Sequence, residues 1–353
     1  MQKKALKLLT SVRLAIALMI AIGLLCAVAT IIPQGLQDAD YILRYGRAGA
    51  TVIALLGLDH AFTSLGMYAL GTLFGLNLLC CTILRLRWAV AVGRKSLAPW
   101  GSPLLHLGLC VILVGVVFSV TGGRQLYYEI PVGETANINV GKQPFKLRVD
   151  NFQVEYYEDG VMPRQYRTQS LLTDQDGTEQ SASIEVNAPL KHRGVSIIQQ
   201  SYGWHYGVTL DTGQVSRTLD FYREQWLTLG GEGSNQVTLG LAFYPDYIEM
   251  DGVPANATDR DNQPRLVWVL RVGEAVVNRG ILAPQEQAVI QQPLSIRFDS
   301  YEYYTGLQAQ YDPGIGIIFA GFFLVSMGLL IRYLFAVGNG RRKENEYGSD
   351  TQS

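Results

Sequence analysis

His106 is the one histidine inside any long apolar run of this 353-residue chain. Across residues 104–120 the only other strongly polar side chain is Ser119. An ionisable side chain in such a run is costly, so it marks a functional site by default. Neutral imidazole is a common metal ligand, for a bare ion or for iron carried in a cofactor. Cys110 follows four residues later, which puts it on the same face of a helix. A Cys/His pair alone does not make a metal site. The alternative is a neutral histidine hydrogen-bonded to a neighbouring helix. No Asp, Glu, Lys or Arg lies inside this apolar run or the three others like it. That argues against a proton relay, an ion pump or a channel.

The remaining reactive residue types form weaker patterns. His60 follows Asp59 beside an apolar run and reads as structural or solvated. His192 and His205 are not in a ligand spacing and read as surface or turn residues. Cys26, Cys80, Cys81 and Cys110 all lie in apolar runs, where small packing residues are expected. The polar segment 121–311 has no cysteine, hence no disulfide of its own and no CxxC redox centre. It contains no P-loop, G-x-S-x-G or H-E-x-x-H. Asn256-Ala257-Thr258 is a glycosylation sequon, a pattern frequent by chance. Arg44 and Arg47 suit carboxylate partners but read better as solvated loop charges.

The elements that must hold His106 follow from charge depletion. Residues 14–32, 65–84, 104–120 and 314–331 are almost uncharged, and each is about the ~17–20 residues a bilayer core requires of a helix. Drawn to their flanks, the predicted spans are about 14–32, 61–84, 103–120 and 312–335. The expected class is therefore an integral membrane α-helical protein of four spans with a large exported, mostly β domain between the third and fourth. Residues 1–120 form the first membrane part, 121–311 the exported domain and 336–353 a cytoplasmic polar tail. Basic clusters precede the first span (Lys3, Lys4, Lys7, Arg13), fill the loop after the second (Arg85, Arg87, Arg94, Lys95) and follow the fourth (Arg332, Arg341, Arg342, Lys343). All three fall on one side if both termini are cytoplasmic, which sends the 33–59 loop and the long polar segment outside. Ala27-Val28-Ala29 would suit a cleaved signal peptide, but the apolar run continues through Ile32 and favours a retained span.

In the polar segment, residues 125–130, 145–157, 194–200, 206–210, 237–243, 266–272 and 294–298 read as strands. Asp159-Gly160, Asp176-Gly177 and Asp251-Gly252 read as turns. Together they predict an antiparallel, sandwich-like architecture. Tyr127, Tyr128, Tyr301, Tyr303, Tyr304 and Tyr311 read as interface anchors beside the spans. Gly71 and Gly75 with Asn77, Gly108 and Gly115, and Gly314, Gly316, Gly321 and Gly328 predict spans packed against helices rather than isolated in lipid.

A family resemblance runs through the chain in order. Leu9-Thr10-Ser11-Val12-Arg13-Leu14-Ala15 opens the first span, and Thr30-Ile31-Ile32-Pro33-Gln34 closes it. Asn77-Leu78-Leu79-Cys80-Cys81-Thr82 with Arg85 ends the second, and Leu105-His106-Leu107-Gly108 begins the third. The polar segment carries Pro144-Phe145-Lys146-Leu147, Asp150-Asn151-Phe152, Glu155-Tyr156-Tyr157, Asn187-Ala188-Pro189-Leu190, Arg193-Gly194 and Gln199-Gln200-Ser201-Tyr202-Gly203. Asp312-Pro313-Gly314 opens the fourth span. From about residue 9 to 335 the chain resembles the ResB (CcsB) family of system II cytochrome c biogenesis proteins.

The resemblance implies an inner, plasma-membrane subunit that moves haem b across the membrane and attaches it to exported apocytochrome c. It implies a CcsA/ResC-like partner with a tryptophan-rich segment. The tryptophans here, Trp88, Trp100, Trp204, Trp226 and Trp268, form no such cluster. One half of a haem lyase, not catalytic alone, is therefore expected. Membrane lipid and thiol–disulfide proteins of the pathway are further expected partners; nucleic acid is not. The resemblance also implies that His106 supplies one axial ligand to haem and the partner the other. The family pattern often has histidine where Ala188 stands, a departure away from the membrane site. The competing reading is a non-catalytic membrane scaffold that presents a β-domain to an exported assembly, with His106 only packing.

Overall fold

The computed structural model describes residues 9–92, 97–158 and 162–349. They form two compact units, one from the chain up to and including Gly123 together with the chain from Pro313 onward, the other from Arg124 to Asp312.

The first unit is helical. Its elements are α1 (Val12–Ile31), α2 (Asp38–Leu56), a 3-10 turn (Ala61–Thr63), α3 (Leu65–Val92), a second 3-10 turn (Ala98–Trp100), α4 (Gly101–Gly122) and α5 (Ile315–Ser349). Among the described residues, four stretches are long and apolar enough to cross a membrane: Val12–Ile31, Leu65–Val92, Ala98–Gly122 and Ile315–Leu334. They are apolar all round rather than on one stripe, the pattern of helices surrounded by other apolar matter. Pro103 sits in the first turn of α4, where its missing N–H costs no helical bond.

Two expectations are corrected here. The 33–59 segment is not a simple loop, because α2 occupies most of it. Gly46 (φ 70°) breaks α2 into two short helical pieces, which hid the helical period in the sequence. Arg85 and Arg87 lie inside α3 rather than in a loop. Arg94, Lys95, the Lys3–Lys7 cluster and the Asp159-Gly160 turn lie outside the described residues.

Helices α4 and α5 meet along a glycine seam with a seven-residue period: Gly101, Gly108, Gly115 and Gly122 on α4 face Gly328, Gly321, Gly314 and Pro313. A Cβ on Gly108 would lie 2.7 Å from the Gly321 carbonyl oxygen and 2.7 Å from the Val325 nitrogen. The backbones touch directly, as small residues allow in apolar surroundings. A strict seven-residue repeat keeps one face of a helix turned toward its partner. Gly71 has open space around it and Gly75 only an ordinary contact with Leu113, so those two are not a packing seam within the chain.

Every strand pair of the second unit is antiparallel, and among the described residues it has one short 3-10 turn and a single isolated parallel bridge, Asp246 to Gln263. Its spine is a pair of long strands, β7 (Val195–Asp211) and β16 (Leu294–Tyr311). Around them lie β1 (Arg124–Pro131), β6 (Leu190–His192), β8 (Ser216–Phe221) and β15 (Gln287–Gln291). A second sheet comprises β2 (Thr135–Ile138), β3 (Phe145–Tyr156), β4 (Pro163–Thr173) and β5 (Glu179–Glu185). A third comprises β9 (Gln225–Gly230), β10 (Val237–Tyr244), β13 (Arg265–Val272) and β14 (Ala275–Leu282). A hairpin, β11 (Tyr247–Met250) and β12 (Val253–Asn256), completes the unit.

The spine serves two cores. Val195, Ile197, Leu307 and Ala309 pack with Leu147, Val149, Leu172 and Ile184 of the second sheet. Tyr206, Val208, Ile296 and Phe298 pack with Leu239, Leu241, Leu266 and Leu270 of the third. Buried residues of β7 are odd-numbered in the first core and even-numbered in the second. The register shift opposite Gly306/Leu307 leaves Gln200 unpaired and resets the alternation. One continuous strand thus replaces the two expected short ones at 194–200 and 206–210. At the junction, Thr168 and Thr305 each donate to Gln199 Oε1, at 2.6 and 3.0 Å, and all three residues are buried.

Beside that polar pin lies an aromatic layer. Trp204 stacks on Tyr303 at 3.8 Å, and Phe152, Tyr166, Tyr202, Phe243 and Tyr301 extend it. Tyr301 and Tyr303 are half-buried members of this layer. Strand β16 runs through Tyr311, so these rings lie four to five two-residue alternations back from its end. The Asp176-Gly177 and Asp251-Gly252 turns join β4 to β5 and β11 to β12, with Gly177 and Gly252 at positive φ.

Candidate functional site: the histidine face of helix α4

His106 stands one and a half turns into α4. Its Nδ1 lies 3.0 Å from the Ser102 carbonyl oxygen, one turn earlier. A carbonyl only accepts, so Nδ1 donates and carries the proton. The lone pair is then on Nε2, which has no hydrogen-bond partner among the described residues. An acceptor behind the ring commonly fixes the tautomer of a metal-binding histidine.

The glycine seam determines which way the ring faces. At about 100° per residue, position 106 is roughly 140–160° around the helix from Gly101 and Gly108. His106 therefore points away from α5, and its face is the one that meets α3. Ser102, one turn before it, accepts a hydrogen bond from Arg85 at 2.6 Å. Cys110, one turn after it, lies 3.4 Å from Thr82 Oγ1. Asn77 of α3 donates to the carbonyl oxygens of Leu9 (2.6 Å) and Ser11 (3.3 Å) and so ties the start of α1 to α3. The imidazole is held between two polar crosslinks to the same neighbouring helix and is half-buried.

No group of three or more His, Cys, Asp or Glu residues could hold a metal ion among the described residues. The donor set is one neutral nitrogen with no acid beside it. That suits a metal that arrives with its other ligands already attached, not a bare ion that needs a protein cage.

The other histidines differ. His192 gives Nε2 to Asp174 at 2.9 Å and packs edge-on against Phe145. The hydrogen bond from His192, and then that from Arg193 at 2.7 Å, hold the Asp174 carboxyl below the usual carboxylate range. His205 is buried in β7, 3.9 Å from both Asp220 and Glu302. His205 is not the surface or turn residue expected, whereas His192 is the strand residue directly before the Arg193-Gly194 turn. Burial, together with the like charge of Glu134, pushes the Glu302 carboxyl upward, against the opposing pull of His205.

His60 caps the 3-10 turn between α2 and α3, with Nδ1 2.9 Å from Asp59 Oδ2. The corner beneath it is built by Gln34, whose Nε2 donates to the carbonyls of Ile32 (2.7 Å) and Leu58 (3.0 Å) while its Oε1 accepts from the Ala61 N–H at 2.9 Å. Tyr41 closes the corner through a 2.5 Å bond to the Pro33 carbonyl. Asp38, Tyr41, Arg47, Thr51 and Asp59 line a neighbouring cavity of about 310 Å³.

The sequence profile of the ResB-like family matches residues 12–99 and 90–292, a stretch that includes His60, Gln34, His106 and most of the β unit. The chain belongs to the ResB-like family. Its relatives include proteins named cytochrome c biogenesis protein CcsB. The one from Trichormus variabilis is 25% identical over 410 residues, covering 94% of this chain and 85% of the relative. One from a Synechococcus species is 26% identical, covering 96% and 91%. The Prochlorococcus marinus protein is 25% identical, covering 98% and 92%. Among solved structures, the cytochrome c haem lyase CcmF aligns with 90% of this chain and 39% of its own at 14% identity and a TM-score of 0.31, too low for a fold argument.

Proposed function

We propose that this protein acts in cytochrome c maturation as a membrane subunit that receives haem at His106 and passes it outward for attachment to apocytochrome c. The observation that carries the proposal is the presentation of His106: proton fixed on Nδ1 by the Ser102 carbonyl, Nε2 free, on the α4 face away from the glycine seam. Haem is cargo here. It brings four equatorial nitrogens and needs only axial ligands, which a single imidazole can supply. The family relationship and the names of its relatives support the pathway.

The charge pattern supports four spans with both termini on the cytoplasmic side of a bacterial plasma membrane and the β unit outside. His106 then lies toward the cytoplasmic end of α4, on the side from which haem arrives. One imidazole leaves the opposite axial position open. A CcsA/ResC-like membrane partner supplying a second histidine completes the site, and the haem-lyase activity belongs to that pair.

The test is to co-purify the full chain with this partner and record haem content and the reduced spectrum. His106→Ala loses most bound haem, and added imidazole restores it. Unchanged haem content and unchanged cytochrome c maturation in His106→Ala would refute the ligand role and return the protein to the scaffold reading.

A further inference from the structure

Asp38, Arg47 and Asp59 are scattered along the chain, yet all three line the cavity of about 310 Å³ beside α2. The fold of α2 brings them together. Gly46 divides the helix, so Asp38 belongs to its first piece and Arg47 opens the second. Gly57, at φ 63°, ends the second piece. The Gly57 and Leu58 N–H groups turn back to the Ala54 and Ile53 carbonyls, at 3.1 and 2.9 Å, a glycine-dependent helix stop. The chain then returns to the entrance of α2, where the Gly35 N–H donates to the Asp59 carbonyl at 3.0 Å.

The lining carries two carboxylates, one guanidinium and the Thr51 hydroxyl, with an apolar part that includes Ile42 and Ile53. Asp59 is bonded to His60. Asp38 and Arg47 make no ion pair with each other or with any other described residue. A simple cation in this cavity would leave Arg47 without a counter-ion, and a simple anion would face two carboxylates. A zwitterion answers both ends. A primary ammonium donates hydrogen bonds to carboxylates, and phosphodiester oxygens accept them from a guanidinium and a hydroxyl. A quaternary ammonium has no N–H to give and favours a cage of aromatic faces, whereas Tyr41 is the one aromatic ring in this lining.

The surroundings are those of a membrane surface. Residues 32–37 link α1 to α2, and the 3-10 turn leads from α2 into α3, so the cavity lies where two of the long apolar helices end. At about 100° per residue, Arg47, Ala50, Thr51 and Ala54 share one face of the second piece, and Val52, Leu55 and Leu56 occupy the adjoining one. Those three side chains are exposed, Leu55 at 82%, as is Leu43 on the first piece at 88%. A helix with charged groups on one side and bare apolar side chains on the other is suited to lie in the headgroup plane with its apolar side toward acyl chains.

We propose that this cavity holds the headgroup of a phospholipid bearing a primary ammonium, the phosphatidylethanolamine class. Asp38 and Asp59 accept from the ammonium, Arg47 and Thr51 hold the phosphodiester, and the acyl chains run along Val52, Leu55 and Leu56. No covalent step is involved. The proposal rests on the four-span reading and is independent of haem.

The test strips the full chain of lipid in detergent and exchanges it into mixed micelles of phosphatidylethanolamine, phosphatidylcholine or phosphatidylglycerol. Native mass spectrometry counts the lipid retained. The wild type keeps one equivalent of phosphatidylethanolamine, preferred by about tenfold or more, the usual effect of a hydrogen bond to a charged group. Arg47→Ala loses that equivalent. Asp38→Asn, which is isosteric, loses the preference over phosphatidylcholine. Both side chains are exposed, so the fold should persist; the wild-type selectivity decides the point on its own if a variant misfolds. Equal retention of the three lipids, or undiminished selectivity in both variants, overturns the proposal. Displacement of the lipid by equimolar glycerophosphoethanolamine also overturns it, in favour of a soluble phosphodiester. The four-span reading fails separately, if tags on the two termini are cleaved from opposite faces of sealed vesicles. With both tags on one face and no lipid selectivity, this inference alone is wrong.

Discussion

The glycine seam between α4 and α5 makes a quantitative prediction. Consider Gly108→Ala beside Gly71→Ala. Both replace glycine by alanine inside an apolar helix, so the gain in helix propensity, up to about 1 kcal/mol, is common to both. The new Cβ at position 71 meets nothing within 4 Å. At position 108 it would lie 2.7 Å from the Gly321 carbonyl oxygen and 2.7 Å from the Val325 nitrogen. Both are backbone atoms and cannot rotate away. Relief to an ordinary contact of 3.4 Å means separating the helices locally by roughly 0.7 Å, which forfeits a quarter to a half of the dispersion well for each pair along the seam. Overpacking of this kind costs ~1–3 kcal/mol, so the two variants should differ by about that amount, or roughly 5–150-fold in an equilibrium constant at ~1.4 kcal/mol per tenfold. The assay is reversible unfolding of the full chain in mixed micelles by SDS titration, read by tryptophan fluorescence. Gly321→Ala, whose Cβ would meet Gly108 O and Ile112 N at 2.8 Å, should match Gly108→Ala. If Gly108→Ala and Gly321→Ala unfold within ~0.5 kcal/mol of Gly71→Ala, a value typical of sites without special contacts, the backbones do not touch and the assigned direction of His106 loses its support.

Three further outcomes follow from the geometry. Gln34→Ala leaves the fully buried Ala61 N–H without its acceptor, at a cost of about 1–3 kcal/mol, seen as faster hydrogen exchange at residues 58–61; Gln34→Glu keeps the acceptor and should restore protection at Ala61 only. Asp174 has its carboxyl pKa depressed by His192 and Arg193, so its stabilisation is present above the ordinary carboxylate pKa of ~4 and is lost as pH falls through the depressed value; the melting temperature of Asp174→Asn should lie below wild type at neutral pH and converge with it in acid. Glu302 is shifted the other way, by burial and then Glu134, so the folded state disfavours its charge; Glu302→Gln should melt above wild type at neutral pH, with the difference vanishing below an ordinary glutamate pKa of ~4.3.

What the sequence made legible depended on whether the signal was local. The apolar runs stood out because a span needs ~20 uncharged residues in a row, and they became α1, α3, α4 and the first part of α5. The turns Asp176-Gly177 and Asp251-Gly252 were readable because positive φ selects glycine. The α2 helix was not, because Gly46 interrupts its period after eight residues. The single strand β7 was read as two, because Ser201, Tyr202, Gly203 and Trp204 break the simple alternation while still pairing with β16. His205 was misplaced for a related reason. Burial of His205 is set by the strands on either side of it, and those partners lie 15 and 97 residues further along the chain. His106 was legible as a site from type alone, but its direction was not. That needed the seam, whose seven-residue period joins Gly101 and Gly122 to the glycines already conspicuous in the run.

The motif residues that first suggested the family prove to be mostly positioning devices, which bears on where chemistry can reside. Gln34 fixes the corner under His60, and Asn77 ties α1 to α3. Gly108 and Gly314 belong to the seam, and Gln199 pins two sheets together while Gly203 admits the Tyr304 ring beside its backbone. Each of these satisfies its bonds within its own unit, and none presents a free donor atom. His106 is the exception among them, with Nδ1 held by the Ser102 carbonyl and Nε2 without a hydrogen-bond partner among the described residues, which is why the ligand role is proposed there and not at the other motif positions.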